Sequence, residues 1–260
     1  MAKDQSRVSA NSSFLSPARP RVLAHRGLAV EAPENTLLAF AKAVAAGAQY
    51  IETDVHVSLD GVAVVAHDPS LTRVAGRNIM VDQLTMTELR RIDLGEGQGF
   101  CSLGEALDAF PETRFNIDVK NKGAVLPTAR AIRDIHAIDR VLVTSFDEAR
   151  RAATVEQLPG VASSASARRF ILALLSAKTG ISPAVRRALS GLVAIQVPEK
   201  ALGLRVTTQR MIDRVHTLGL EMHVWTINEP QRMRHLLDLG IDGIVTDRAD
   251  LALEVVKSRA

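Results

Sequence analysis

Two short stretches carry carboxylates at a spacing that could do chemistry. In YIETDVHVS, Glu52, Asp54 and His56 alternate with Thr53 and Val55, so a β-strand would turn the first three to one face. RFNIDVK repeats the device with Asn116, Asp118 and Lys120. A bare buried carboxylate costs several kcal/mol even after relaxation, so these faces require something cationic. Ion pairs to Arg26 and Lys120 would supply it, and so would a divalent metal ion. Glu52, Asp54 and Asp118 are three oxygen donors, a hard set that suits Mg²⁺ or Ca²⁺ better than zinc, and no cysteine-pair or HExxH pattern competes. Both readings stay open on spacing.

His25 and His67 complete the group. Each closes an apolar run, in VLAHRG and VAVVAHD, and an imidazole with its ordinary pKa of about 6.5 can move protons near neutral pH. A lone strand-end histidine is usually a hydrogen-bonding residue and nothing more; two of them flanking three carboxylates point to acid/base chemistry. His56, His136, His216, His223 and His235 lack such company and are expected to be structural.

The elements that must position these residues follow from periodicity. From Arg21 onward, β-branched runs alternate with Ala/Leu-rich helical stretches, the pattern of parallel βα units. Strands are predicted at Val22 to His25, Tyr50 to Ser58, Val62 to His67, Phe115 to Lys120, Val141 to Ser145, Val161 to Ser164, Val193 to Val197, Met222 to Thr226 and Gly243 to Thr246. Asp60-Gly61 is a hairpin signal, so Val62 to His67 runs back on its neighbour and leaves eight parallel strands. Pro33 and Gly47 would bound one helix, and Asn228-Glu229-Pro230 would open another. The expectation is an α/β fold, a TIM (β/α)8 barrel in one domain over residues 21 to 260. A small insertion at 69 to 103, after the second strand and its hairpin, sits on the rim. Sites in such barrels gather at the C-terminal ends of the strands, where these side chains lie.

Composition narrows the partners. The chain has 260 residues, a net charge of +3 and nine aromatics: seven Phe, one Tyr and one Trp. Residues 1 to 21 hold Lys3, Arg7, Arg19 and Arg21 against Asp4, which accounts for the whole excess. The remainder is balanced and has little material for base stacking, which argues against nucleic acid. Residues 1 to 20 are expected to form a disordered arm, without the apolar stretch of a secretory signal. No apolar run approaches the length of a membrane span, so stable membrane insertion is not expected. The single cysteine, Cys101, suits a reducing compartment and a cytoplasmic protein. GEGQG, residues 95 to 99, lacks the strand and helix of a dinucleotide fingerprint and is expected to be a loop.

Taken in order, AHRG with APENT, YIETDVHVSLDGVAVVAHDPSLTR, SLGEALDAFPETRFNIDVK, HVWTIN and GIDGIVTD form a specific signature. On these stretches the chain resembles the glycerophosphodiester phosphodiesterases over essentially all of Arg21 to Leu253. The resemblance implies a TIM barrel that hydrolyses small-molecule glycerophosphodiesters to an alcohol and sn-glycerol 3-phosphate, with a divalent cation. It further implies His25 and His67 as the acid/base pair, Glu52, Asp54 and Asp118 as metal ligands, and Arg26 and Lys120 as the cations that hold phosphate. Glu34 would brace the site from behind, and Trp225 stands where the family keeps an aromatic near the substrate. The family commonly has Glu where this sequence has Asp118, one methylene shorter.

Two rival functions share this scaffold. A lysophospholipid, cleaved in the manner of a phospholipase D, would want an apolar rim, for which Ile79, Met80, Val81, Leu84, Met86 and Phe100 of the insertion are candidates. A barrel that only binds phosphorylated ligands would not need both histidines and all three carboxylates. The oligomeric state and the head-group alcohol are not encoded in any pattern found here.

Overall fold

A computed structural model describes residues 12–179, 183–201 and 203–259. Eight strands run parallel around a barrel: β1 (Arg21–His25), β2 (Tyr50–Val57), β4 (Arg114–Val119), β5 (Val141–Thr144), β6 (Ala162–Ser163), β7 (Ala194–Pro198), β10 (Glu221–Trp225) and β11 (Gly243–Thr246). β3 (Ala63–Val65) folds back antiparallel on β2, pairing Val55 with Val65. β8 (Lys200–Ala201) and β9 (Leu204–Arg205) form a small ribbon that sequence periodicity did not indicate. The barrel closes between β6 and β7, where Val193 N donates to Ser163 O at 2.9 Å and Ala165 N to Ala194 O at 3.0 Å.

Alternation along the strands builds the layers. In β2, Ile51 and Val55 point outward into the cluster that includes Phe40, Leu103, Leu107 and Phe115. Tyr50 joins Leu23, Leu142 and Val245 in the cluster that also contains Phe14. A second outer cluster joins Ile195, Val197, Met222 and Val224 to residues such as Met211, Met233 and Leu236 of the helices Gln209–Thr217 and Pro230–Asp238.

Local signals set the turns. The chain reverses through Leu59, Asp60 and Gly61, with Gly61 at φ +78° and Ser58 N donating to Val62 O at 3.0 Å, a three-residue hairpin loop. Glu229 caps a helix that begins at Pro230, as expected. Pro33 does not enter a helix. The first barrel helix is Leu37–Ala45, capped by Thr36, whose side chain accepts from Ala39 N at 3.2 Å, so Pro33 lies in the preceding loop.

Residues 1–11 of the expected arm lie outside the described residues. Residues 12–20 lie against the barrel through Phe14, the one buried residue among them. Ser13–Leu15 forms a 3₁₀ turn, and Phe14 is buried edge-to-face against Tyr50 with centroids 5.2 Å apart. Tyr50 Oη donates to Phe14 O at 3.0 Å and accepts from Arg21 Nη1 at 2.8 Å. Phe14 and the partly buried Leu15 pack into the N-terminal end of the barrel, where burying one such aromatic stabilises by roughly 1.5–3 kcal/mol, and Arg21 holds the stretch through Pro17 O and Leu15 O.

The insertion holds three short helical pieces, Thr72–Ala75, Val81–Gln83 and Met86–Arg90. It packs around a small core: Leu71, Val81, Met86, Leu89, Ile92 and Phe100 pack on Val64 and Ala66, with Ile79 and Leu84 against them. No helix among the described residues is long and apolar enough to cross a membrane.

Candidate active site

The C-terminal ends of β1, β2, β4 and β10 surround a cavity of about 360 Å³. His25, Arg26, Glu52, Asp54, His67, Asp118, Lys120 and Trp225 all line it. Strand register explains the meeting: His25 pairs with Glu52 across β1 and β2, and Asp54 pairs with Asp118 across β2 and β4. Glu34 does not line the cavity; it stands behind Arg26, whose Nη1 donates to Glu34 Oε1 at 3.1 Å.

The turn after β1 is built for close approach. Arg26 adopts φ +56° and is held there by Arg26 N donating to Glu52 O and Asn35 N donating to Arg26 O, each at 2.9 Å. Gly27, at φ +88°, presses on the helix Leu37–Ala45, where a Cβ would meet Ala39 backbone at 2.7 Å.

Both imidazoles are oriented by carboxylates. His25 Nδ1 lies 2.6 Å from Asp247 Oδ1, leaving Nε2 on the side of Glu52, 3.8 Å from Oε2. Burial opposes the charged form of His25, but the Asp247 hydrogen bond and the charge of Glu52 outweigh it and raise the pKa. His67 Nδ1 lies 2.7 Å from Asp68 Oδ1. His56, assigned a structural role from sequence, is buried below: its Nε2 donates to His67 O at 3.1 Å while Nδ1 accepts from Asn121 Nδ2 at 3.0 Å. Burial lowers its pKa, consistent with this neutral form.

The carboxylates are unequal. Asp54 pairs with Lys120 Nζ at 2.8 Å and Arg26 Nε at 3.2 Å and accepts from Asn35 Nδ2 at 3.2 Å. Burial works against its charge, but Lys120 and Arg26 hold its pKa below the usual range. Asp118 meets the same Lys120 at 2.7 Å, yet burial raises its pKa. Glu52 is pushed up to about 8 by burial and by the charge of Asp54, with His25 opposing and Asp118 adding to the rise.

Ion pairs to Arg26 and Lys120 are therefore present, but they do not satisfy the cluster. Glu52 Oε2 and Asp118 Oδ1 are buried without a hydrogen-bond partner, as is Asn116 Oδ1. An unpaired buried acceptor is costly, more so when charged. This oxygen-only donor set fits the chemistry of a hard divalent cation. It is not a closed ligand shell: among the described residues no three His, Cys, Asp or Glu side chains group as a metal site, and Lys120 Nζ contacts both Asp54 and Asp118.

Several residues escaped the sequence reading. Asp247 and Asn228, which donates to Asp247 Oδ2 at 2.8 Å, lie in the stretches GIDGIVTD and HVWTIN without any local feature that marks a role. Asp68 follows His67 directly and could have been noticed. Phe146 is 58% exposed and meets Trp225 edge-to-face at 5.9 Å. With Phe170, Ala165 and Pro198 these two form the apolar wall of the cavity. Cys101 is buried and free, its thiol pushed up to about 12 by burial, in keeping with a packing role.

Comparison with known proteins finds relatives of this chain. The model of the glycerophosphoryl diester phosphodiesterase family matches residues 25–251. A probable glycerophosphodiester phosphodiesterase 2 of Mycobacterium tuberculosis is 38% identical over 239 residues, covering 91% of this chain and 90% of that protein. A lysophospholipase D of Homo sapiens is 26% identical, covering 86% of this chain and 82% of that protein. An Oleispira antarctica phosphodiesterase, solved in complex with the product sn-glycerol-3-phosphate, superposes with a TM-score of 0.76 at 20% identity, covering 92% of this chain and 97% of that one.

Proposed function

The chain belongs to the glycerophosphoryl diester phosphodiesterase family, and from that premise we propose that its rim cavity hydrolyses glycerophosphodiesters to an alcohol and sn-glycerol 3-phosphate. One observation carries the reading. Two imidazoles, each with Nδ1 held by its own carboxylate, open on the same cavity as Arg26 and Lys120.

A phosphodiester anion repels nucleophiles, so Arg26 and Lys120 bind it and balance the charge that builds on its oxygens. One histidine takes the proton from the attacking hydroxyl, either water or the glycerol 2-hydroxyl. The bond from phosphorus to the head-group oxygen breaks, and the other histidine protonates the departing alcohol. If the internal hydroxyl attacks, water then opens the cyclic phosphate with the two histidines in exchanged roles. Asp247 and Asp68 keep the rings turned toward the substrate, Glu34 braces Arg26, and Trp225 packs on the substrate's carbon skeleton.

Glu52, Asp54 and Asp118 are the residues that would hold a divalent cation, Mg²⁺ or Ca²⁺. Such an ion supplies, when bound, positive charge against the phosphoryl oxygens. The unpaired oxygens of Glu52 and Asp118 support this part of the reading.

A second reading, lysophospholipid cleavage in the phospholipase D manner, is favoured by the wall of Phe146, Phe170 and Trp225. The apolar residues of the insertion do not contribute to it: Val81, Met86 and Phe100 are buried in the insertion's own core, and only Met80 is exposed. The test is hydrolysis of glycerophosphocholine against lysophosphatidylcholine, with and without chelator. Metal-dependent release of choline from the first supports the primary reading, preference for the second substrate supports the alternative, and no turnover of either leaves a barrel that only binds phosphorylated ligands.

A further inference from the structure

Arg73 belongs to the insertion, not to the barrel, and none of the roles above uses it. Its guanidinium nevertheless touches the supports of two cavity residues at once. Nη1 and Nη2 fork onto Glu34 at 3.0 and 2.6 Å, and Nε donates to Asp68 Oδ2 at 2.5 Å. The remaining oxygen of Asp68 holds His67 Nδ1, and Glu34 Oε1 accepts from Arg26 Nη1. A single planar side chain thus spans His67 on one side and Arg26 on the other.

The backbone under Arg73 is itself anchored. Leu71 is buried in the core of the insertion and its N donates to Ile79 O at 2.9 Å, while Val81 N donates to Pro69 O at 2.8 Å. By contrast the Arg73 side chain is half exposed. Exposed ion pairs contribute little to stability, so the weight of this fork lies in geometry. A guanidinium presents several donors in a fixed plane; an ammonium can bridge two carboxylates, as Lys120 does, but lacks the fork that grips Glu34 while a third donor reaches Asp68.

We propose that Arg73 is a positioning residue that sets His67 and Arg26 relative to each other through Asp68 and Glu34. The inference rests on the phosphodiesterase reading above. It gives the insertion a part in the chemistry: it delivers one side chain that ties the loops after β1 and β3 together.

The test uses the full chain, with glycerophosphocholine as substrate and sn-glycerol 3-phosphate as the binding probe. Arg73→Ala is expected to lower kcat by about tenfold or more and to weaken glycerol 3-phosphate binding several-fold, with Arg73→Lys in between. If Arg73 acts through its partners, adding Arg73→Ala to Asp68→Asn costs less than about twofold further in kcat, and adding it to Glu34→Gln leaves the Kd of glycerol 3-phosphate nearly unchanged. Because the Kd is measured by calorimetry, this arm needs no residual turnover. Arg73→Ala with wild-type kcat and Kd, or losses that multiply fully on both backgrounds, would overturn the proposal. His67→Ala separates this from the underlying reading: an active His67→Ala removes the acid/base assignment itself, whereas an inactive one beside a fully active Arg73→Ala removes only Arg73.

Discussion

His25 and Asp247 meet at 2.6 Å because β1 and β11 pair in parallel, with Ala24 opposite Thr246, so each residue stands one step beyond that pair. Asn228 fixes the far oxygen of Asp247 and accepts from Asp247 N at 3.0 Å. The carboxylate thus orients an imidazole whose other nitrogen faces the cavity. Asp247→Asn keeps an acceptor but weakens the hydrogen bond that, with the charge of Glu52, raises the His25 pKa, and we expect kcat to fall by about 10- to 100-fold with little change in thermal stability. His25→Ala should cost at least about a hundredfold. Steady-state rates on glycerophosphocholine, with unfolding monitored by circular dichroism, check both.

Glu52 and Asp118 each keep a buried oxygen without a donor. A divalent cation that fills that need binds the folded chain and not the unfolded one, so it should raise the unfolding free energy by about 2.7 kcal/mol at a hundred times its Kd. Chelator should remove both this increment and the activity. Glu52→Gln and Asp118→Asn should melt at a temperature that no longer responds to Mg²⁺ or Ca²⁺, and Glu52→Ala should lose at least about a hundredfold in turnover. A metal-induced shift that survives in all three variants would move the ion elsewhere.

What sequence could reveal here depended on range. The alternation in YIETDVHVS and RFNIDVK is local and puts the carboxylates of each stretch on one strand face; the opposition of Asp54 and Asp118 is set by the register of β2 against β4. The nine main strands were legible for the same reason, and Asp60-Gly61 marked the one that turns back. Asp247 was not legible as the partner of His25, since 222 residues separate them and only barrel closure joins the two. Arg73 and Glu34 meet through the insertion's path, which follows no period. Phe14 shows the opposite failure: in a stretch of serines, composition suggested disorder, while a buried ring and hydrogen bonds from the distant Arg21 hold residues 14 to 17 to the barrel.

At the N-terminal end of the barrel, Arg21 Nε and Nη2 donate to Glu221 at 2.7 and 2.8 Å, and His223 Nε2 lies 3.0 Å from the same carboxylate. Burial raises the pKa of Glu221, but Arg21 and His223 outweigh it and hold it at about 2, against the ordinary value of 4.5. A depressed carboxyl pKa stabilises the fold above the unfolded value, and that contribution is lost as pH falls through 4.5 toward 2. Its ceiling is about 3 kcal/mol. Glu221→Gln should therefore be less stable than the wild type at pH 7, and the gap should narrow between about pH 5 and pH 3. Urea unfolding of both proteins across that range measures it; a gap that stays constant contradicts the assignment.

Phe146 projects from the loop after β5, 58% exposed, with its ring against Trp225 and Lys120 Nζ at 6.0 Å from its centroid. Truncating it removes one side of the apolar wall and the support of Trp225, so Phe146→Ala should lower kcat/KM on glycerophosphocholine by roughly tenfold, the equivalent of part of one buried aromatic. Lysophosphatidylcholine differs from that substrate only by its acyl chain. If the wall packs on the glycerol and head group that both share, the variant loses equally on the two, and their kcat/KM ratio stays where the wild type has it. A loss confined to the acylated substrate means that the wall takes the chain, and the substrate class then shifts to lysophospholipids.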